Sequence, residues 1–430
     1  MQTPTAADLS HDRDFARALD ARDPLAGFRE RFVLPTARPD GIYFVGNSLG
    51  PMPRAARAIV EGELDAWERL GVGGHLDAER PWYSYHERLR APLARLVGAG
   101  EHEVVAMNSL TVNLHLMLTT FYRPAGRRTR VLIEKGAFPS DTYAVASHVH
   151  ARGLDPEAEL VELAPRPGEW TLREEDVVAR IAELGETLAL ALLPGVQYRT
   201  GQAFDVARLT AAVHAVGANC GWDLAHAAGN LELALHDAQA DFAVWCSYKY
   251  LNSGPGAVAG AFVHERHAAD VALPRHAGWW GNDPAERFRM DDRFVPTRRA
   301  DAWSLSNPPI LSTAPLVASL ALFDEAGIER LRAKSRLLTA LLEFRLRGIP
   351  GIEILTPAAI DARGAQLSLL VARDSRARYE AFKAAGLACD HRESGRGRPG
   401  EGIVRLAPAP LFNSFDEVWR AAEIVRSACG

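Results

Sequence analysis

Between about residues 100 and 265, short apolar runs alternate with stretches of helical periodicity: EVVAMNS, RVLIEKGAF, LALALLPGV, NCGWDLAHAAG, FAVWCSYKY and VAGAFVHE. Polar and apolar positions hardly alternate within a run, the pattern of strands buried on both faces. The spacing predicts an α/β centre, a mostly parallel sheet between two layers of helices. From about 311 the pattern becomes one amphipathic stretch, TAPLVASLALFDEAGIERLRAKSRLLTALLEFRLRG. Strand candidates GIEILTP and AQLSLLVAR follow, then a closing helix, SFDEVWRAAEIVRSA. These elements predict a smaller α+β lobe over 311–430, joined by the segment 1–50, beside a large lobe over 51–310. The loop 393–402, ESGRGRPGEG, is flexible by composition.

A chain of 430 residues, 47% of them hydrophobic, can bury two cores. The net charge of −5, with Arg interspersed among Asp and Glu, gives no footprint for nucleic acid or an anionic membrane. No run reads as a membrane span, and the polar start MQTPTAADLSHDRDFARALDARD lacks the apolar core of a signal peptide, so a cytoplasmic protein is expected. Cys220, Cys246, Cys389 and Cys429 show no metal-ligand spacing and read as reduced, mostly buried thiols. No metal is called for.

Of 49 basic residues only Lys135, Lys249, Lys334 and Lys383 are lysines, so this chain writes Arg wherever a generic cation serves. Lys249 follows the strand candidate FAVWCSYK and precedes the glycine-rich turn NSGPG, where backbone can approach a ligand closely. An amine partly withdrawn from water has a lowered pKa and attacks carbonyls, which Arg cannot do, so Schiff-base chemistry explains the exception. A plain surface lysine at a strand end fits the segment equally. Lys334 and Lys383 lie in amphipathic helical text and read as solvated-face residues; Lys135, before GAFPSD, is the rival to Lys249.

In NCGWDLAHAAGN, Asp223 follows an apolar run and His226 stands three residues on. A buried carboxylate beside a basic ring nitrogen keeps that nitrogen protonated, as an electron-sink pyridine requires. The same pair also reads as a helix cap, or as two metal ligands seeking a third such as Asp141. In AMNSLTVNLHLML a strand yields to a helical run, so the N–H groups of Leu110 and Thr111, with the Thr hydroxyl, suit a phosphate on a helix N-terminus. Ser109 or Thr111 as a simple N-cap is the competing reading. In GAFPSDTYA, Phe138 offers a stacking face and Ser140 and Asp141 polar contacts, or Ser or Asp caps the next helix.

Taken together, AMNSLTVNLHLML, AFPSDTYA, LLPGVQYRTGQAFD, DLAHAAGNLEL, WCSYKYLNSGPGAVAGAFVHE, GWWGN, SNPPI and VRLAPAPLFNSFDEV resemble the kynureninase family. The match runs in order from YFVGNSLG at 43–50 to the C-terminus, and CSYKYLN with SNPPI is specific to that family. The resemblance implies a fold type I pyridoxal-phosphate enzyme, with a large domain built on a mostly parallel seven-stranded sheet and a smaller α+β C-terminal domain. It implies a homodimer with shared active sites that hydrolyses L-kynurenine or its 3-hydroxy form to anthranilate or 3-hydroxyanthranilate and L-alanine, in tryptophan degradation or pyridine nucleotide synthesis.

On the same resemblance, Lys249 is similar to the lysine that holds pyridoxal 5′-phosphate as a Schiff base, and Asp223 to the partner of its ring nitrogen, with His226 beside it. Tyr248 resembles a tyrosine that contacts phosphate and takes part in proton transfer. Phe138 would stack on the ring, and Leu110, Thr111, Trp279 and Asn307 resemble the remaining cofactor contacts, the last two from the neighbouring subunit. Arg405 in IVRLAP resembles the clamp for the substrate's α-carboxylate, a task for a planar fork of donors. His75 in GGHLDAERPW and Asn307 resemble residues bordering the substrate's aromatic ring. Two departures stand out: Pro194 in LLPGV replaces a Ser that contacts cofactor in some members, and the glycine-rich loop ahead of Arg405 is longer than usual. A class V aminotransferase, a cysteine desulfurase and a non-catalytic pyridoxal-phosphate-binding domain are the alternatives, the desulfurase requiring a reactive Cys on a mobile loop.

Overall fold

The computed structural model describes residues 9–35 and 38–429. Its centre is a seven-stranded sheet built from β1 (Val104–Ala106), β2 (Arg130–Glu134), β3 (Leu160–Leu163), β4 (Leu188–Pro194), β5 (Asn219–Asp223), β6 (Phe242–Trp245) and β7 (Gly260–Val263), in the order β1-β7-β6-β5-β4-β2-β3. Only β7 runs against its neighbours; the other pairings are parallel. Six of these strands fall in the apolar runs of the sequence. The seventh, β3, is a half-buried edge strand, and its LVEL text carries little apolar weight.

Helices cover both faces of the sheet. Leu114, Met117, Leu118 and Phe121 of the helix Leu110–Phe121, with Val145 and Val149 of the helix Pro139–Ala151, pack under one face. Val177, Ile181, Leu209, Val213, Leu316 and Phe323 pack on the other. With both faces dry, the strands carry no solvent side, which is why their sequence does not alternate.

A second sheet of four strands holds Ile352–Ile354, Leu367–Val371, Gly402–Leu406 and Asp390–Glu393 in that order, all antiparallel. The described part of the first fifty residues packs against it. Ile42–Tyr43 pairs in parallel with Leu387–Ala388, Val45 bridges Ala407, and Ala16, Ile42 and Phe44 share a core cluster with Leu341, Val404 and Val418. No single helix among the described residues is long and apolar enough to cross a membrane; the apolar pair Ile310–Ala326 and Ile328–Leu346 is bent by 82° between its two helices.

The amphipathic stretch from 311 is two helices, Ile310–Ala326 and Ile328–Leu346, broken at Gly327, whose φ of 76° is reached at little cost only without a Cβ. One expectation for this region needs correction. Lys334 is not on a solvated face. It is 6% exposed and lies 2.7 Å from the buried Asp23 carboxylate, and burial pulls its pKa down while Asp23 opposes that shift. Lys334→Met leaves Asp23 buried without its cation and is expected to cost about 3–5 kcal/mol, read as a lower midpoint in urea unfolding.

Candidate active site

The ends of the parallel strands converge on one open cleft of about 680 Å³, lined among others by Leu110, Thr111, Phe138, Ser140, Asp141, Asp223, His226, Tyr248 and Lys249. Asp223 closes β5 and Glu134 closes β2, while Lys249 comes four residues after the end of β6. This is the carboxyl-end crevice where open α/β sheets place their ligands. Nine residues scattered over more than a hundred positions of sequence thus meet because each follows or ends a strand of the same sheet.

Lys249 is half-buried, and its Nζ lies 5.8 Å from the Phe138 ring centroid and 5.9 Å from that of Tyr248. Lys135 is exposed, and Lys383 pairs on the surface with Glu380 at 3.1 Å, so one lysine of the four reaches the cleft. The turn that carries it is held by the segment YFVGNSLG. The Gly50 N–H donates to the Tyr248 carbonyl at 2.8 Å, and any Cβ on Gly50 would collide with the Lys249 carbonyl and with Asn252.

Asp223 Oδ1 accepts from the Ala225 N–H at 2.7 Å, which fixes the carboxylate. Asp141 stands beside it: burial, reinforced by the negative charge of Asp223, pushes the Asp141 carboxyl well above its ordinary range. His226 is buried with Nδ1 lacking a partner, and burial, with the charges of Lys249 and Arg405, depresses its pKa, so the ring is neutral. Burial likewise raises the Tyr248 phenol and keeps its O–H intact.

At the opposite wall, Thr111 Oγ1 and Ser140 Oγ lie 2.7 Å apart. Ser109 occupies the N-cap position of the twelve-residue helix Leu110–Phe121, as one reading of the sequence has it, but its side chain makes no capping bond. Two hydroxyls and an uncapped helix N-terminus face one place. Phe138, 49% exposed, presents its ring to the cleft and meets Tyr198 edge-on at 5.4 Å. Pro194 lines the cleft and brings no hydrogen-bond donor.

The remaining expected residues lie elsewhere. Trp279, 38% exposed, and Asn307, exposed, do not line the cleft of their own chain. His75 is half-buried and packs edge-on against Trp82 at 5.5 Å. Arg405 is buried: Nη2 donates to Asp390 at 2.7 Å and Nη1 to the carbonyl of the cleft residue Tyr198 at 2.8 Å, while Nε has no partner. The loop after Asp390–Glu393 is docked through Arg396, whose guanidinium lies 3.5 Å over the Trp170 ring.

Sequence reasoning passed over Glu134, Gln197 and Tyr198. Glu134 is buried in the cleft wall, accepts from Gln197 Nε2 at 3.2 Å, and has its pKa raised to about 8 by burial, against the opposing pull of that bond. Its position at the end of a parallel strand was the signal available.

Curated relatives match almost the whole chain. A protein named kynureninase from Myxococcus xanthus is 52% identical over 411 residues, covering 94% of this chain and 95% of its own. Another so named from Koribacter versatilis is 51% identical, covering 96% and 97%, and one from Salinispora tropica is 51% identical, covering 97% of each. The chain belongs to the kynureninase family. The family profile described as Kynureninase C-terminal domain matches residues 331–425.

Among solved structures, a C-DES mutant with glycine covalently linked to its PLP cofactor overlays with a TM-score of 0.75 at 16% identity, covering 90% of this kynureninase-family chain and 97% of that one. The cysteine desulfurase CsdA from Escherichia coli gives 0.76 at 17% identity, covering 94% and 98%. At that identity the likeness shows the fold, type I of the pyridoxal-phosphate enzymes. The one cysteine near the 393–402 loop, Cys389, is buried and its thiol pKa is pushed up by burial, the opposite of the exposed thiolate a desulfurase uses.

Proposed function

We propose that the protein hydrolyses L-kynurenine, or its 3-hydroxy form, to anthranilate or 3-hydroxyanthranilate and L-alanine, with pyridoxal 5′-phosphate as cofactor. The observation that carries this reading is a lone cleft lysine above the Phe138 ring with Asp223 in the same cleft, in a chain that belongs to the kynureninase family. The residues present fit that cofactor. Phe138 offers the stacking face, Thr111 and Ser140 with the N–H groups at Leu110 and Thr111 a phosphate cradle, and two buried polar atoms, His226 Nδ1 and Asp141 Oδ1, lack partners.

When bound, the cofactor supplies an electron sink for a carbanion at the substrate's Cα. Lys249 would hold the cofactor through Nζ and, with that amine free, would move the proton at the substrate's Cα. The Asp223 carboxylate would keep a proton on the ring nitrogen. The Tyr248 O–H, kept protonated by burial, would donate to the cofactor's phosphate and supply a proton near the γ-carbonyl. Arg405 holds the α-carboxylate, Nε being its spare donor and Nη1 available on release of the Tyr198 carbonyl.

Trp279 and Asn307, exposed and away from their own cleft, suit a homodimer in which each subunit completes the other's site, Trp279 at the cofactor and Asn307 with His75 at the substrate ring. We read the chain as a large cofactor-binding domain over 51–310 and a small domain over 311–430 joined by 1–50. The four unpaired cysteines fit a cytoplasmic setting.

Incubating the holoenzyme with L-kynurenine and with 3-hydroxykynurenine is expected to release one L-alanine per fluorescent aromatic acid. Amino transfer without cleavage, or release of sulfide from L-cysteine instead, would replace this reading, and the ratio of kcat/KM for the two substrates fixes the preferred one.

A further inference from the structure

A second, polar cleft of about 730 Å³ shares no residue with the first and opens between residues 83–90, the helix Pro284–Arg287 and the segment 297–301. Arg287 forms its wall at 4% exposure and has no ion-pairing carboxylate among the described residues. All its bonded partners are neutral: Nη1 donates to the Tyr83 hydroxyl at 3.2 Å, and Nη2 to the carbonyls of Trp280 and Asn282 at 2.8 and 3.0 Å. The guanidinium lies over the Trp280 and Tyr83 rings, 4.3 and 5.4 Å from their centroids. Its Nε has no partner, and neither do Arg90 Nε, His86 Nδ1 and Asp301 Oδ2, all buried around the same cleft.

The acidic side chains on these walls are three. Asp301 sits 2.8 Å from Arg90 and 3.2 Å from His86, Glu87 lies 3.5 Å from Arg90, and Asp283 Oδ1 accepts from the Ala285 N–H at 2.9 Å. Among the described residues, Arg287, buried, and Arg299, exposed, are left without a carboxylate. Burying a guanidinium among neutral groups is costly unless an anion reaches it, and a planar fork of donors matches an oxyanion.

We propose that this cleft binds a small oxyanion, a carboxylate or a phosphate, anchored on Arg287 and approached by Arg299. Because Nη2 of Arg287 also holds the Trp280 carbonyl, occupancy is registered by the segment 278–282. The cleft shares no residue with the first one, but the segment it bears on carries Trp279, which the reading above places at the neighbouring subunit's cofactor.

The test uses the holoenzyme, whose cofactor fills the first cleft. Its melting temperature is followed against formate and against inorganic phosphate at constant ionic strength set with chloride. Expected is a saturable rise with one or both, as for a ligand that binds only the folded state; the anion that saturates identifies the chemistry. Arg287→Gln is expected to abolish the rise, and Arg299→Gln, on an exposed side chain, to raise the half-saturating concentration several-fold. A shift that never saturates, or titrations equal to wild type in both variants, overturns the proposal. With Arg287→Gln unfolded, an unchanged titration in Arg299→Gln alone does so.

Discussion

Lys249→Ala is expected to fold as the parent does and to lose activity by at least ~10⁴-fold, the upper range for one proton-transferring group. The side chain is half-buried at the cleft and makes no ion pair that its loss would strand, so the damage is confined to chemistry. Borohydride reduction of the holoenzyme followed by peptide mapping checks the assignment directly. The pyridoxyl label belongs on Lys249; its appearance on the exposed Lys135 would transfer the role to a residue outside the cleft and undo the reading.

Asp223→Asn is the second large effect. The amide keeps the volume and can still accept from the Ala225 N–H, yet it no longer carries the charge that keeps a ring nitrogen protonated. Loss of a buried charge partner is worth roughly 3–5 kcal/mol, a fall of about 10² to 10⁴ in kcat. Asp141 makes this variant informative in a second way. Part of what raises its pKa is the Asp223 charge, so in Asp223→Asn its carboxyl is released to ionise at lower pH, and some activity returns as pH rises. Adding Asp141→Asn removes that recovery. A single variant within a few-fold of wild type across the pH range assigns Asp223 no part in catalysis.

The sequence made the central sheet readable because its strands are dry on both sides, leaving unbroken apolar text. It concealed β3, which lies at the edge and is only half-buried. The apolar stripe runs straight through Gly327, so periodicity alone does not show where the helix turns. Lys334 misled because a lysine inside helical text is ordinarily solvated; its partner Asp23 comes from the other end of the chain, a contact no local pattern encodes. Within the cleft, most residues that end or follow strands were legible from strand order. Glu134, which ends β2, was passed over, since a carboxylate there looks like any solvated acid until burial raises its pKa. Tyr198 and Gln197 carry no distinctive spacing at all.

The hold of Gly50 on the lysine turn has a mechanical side. Eight residues before it, Ile42–Tyr43 is stitched to Leu387–Ala388, and Val45 to Ala407, one residue beyond the strand that bears Arg405. A stiff tether therefore runs from the strand that bears Arg405 to the backbone under Lys249. Any swing of the smaller sheet tugs on that turn, so in the roles proposed for these two residues, substrate capture and the aim of the amine travel together.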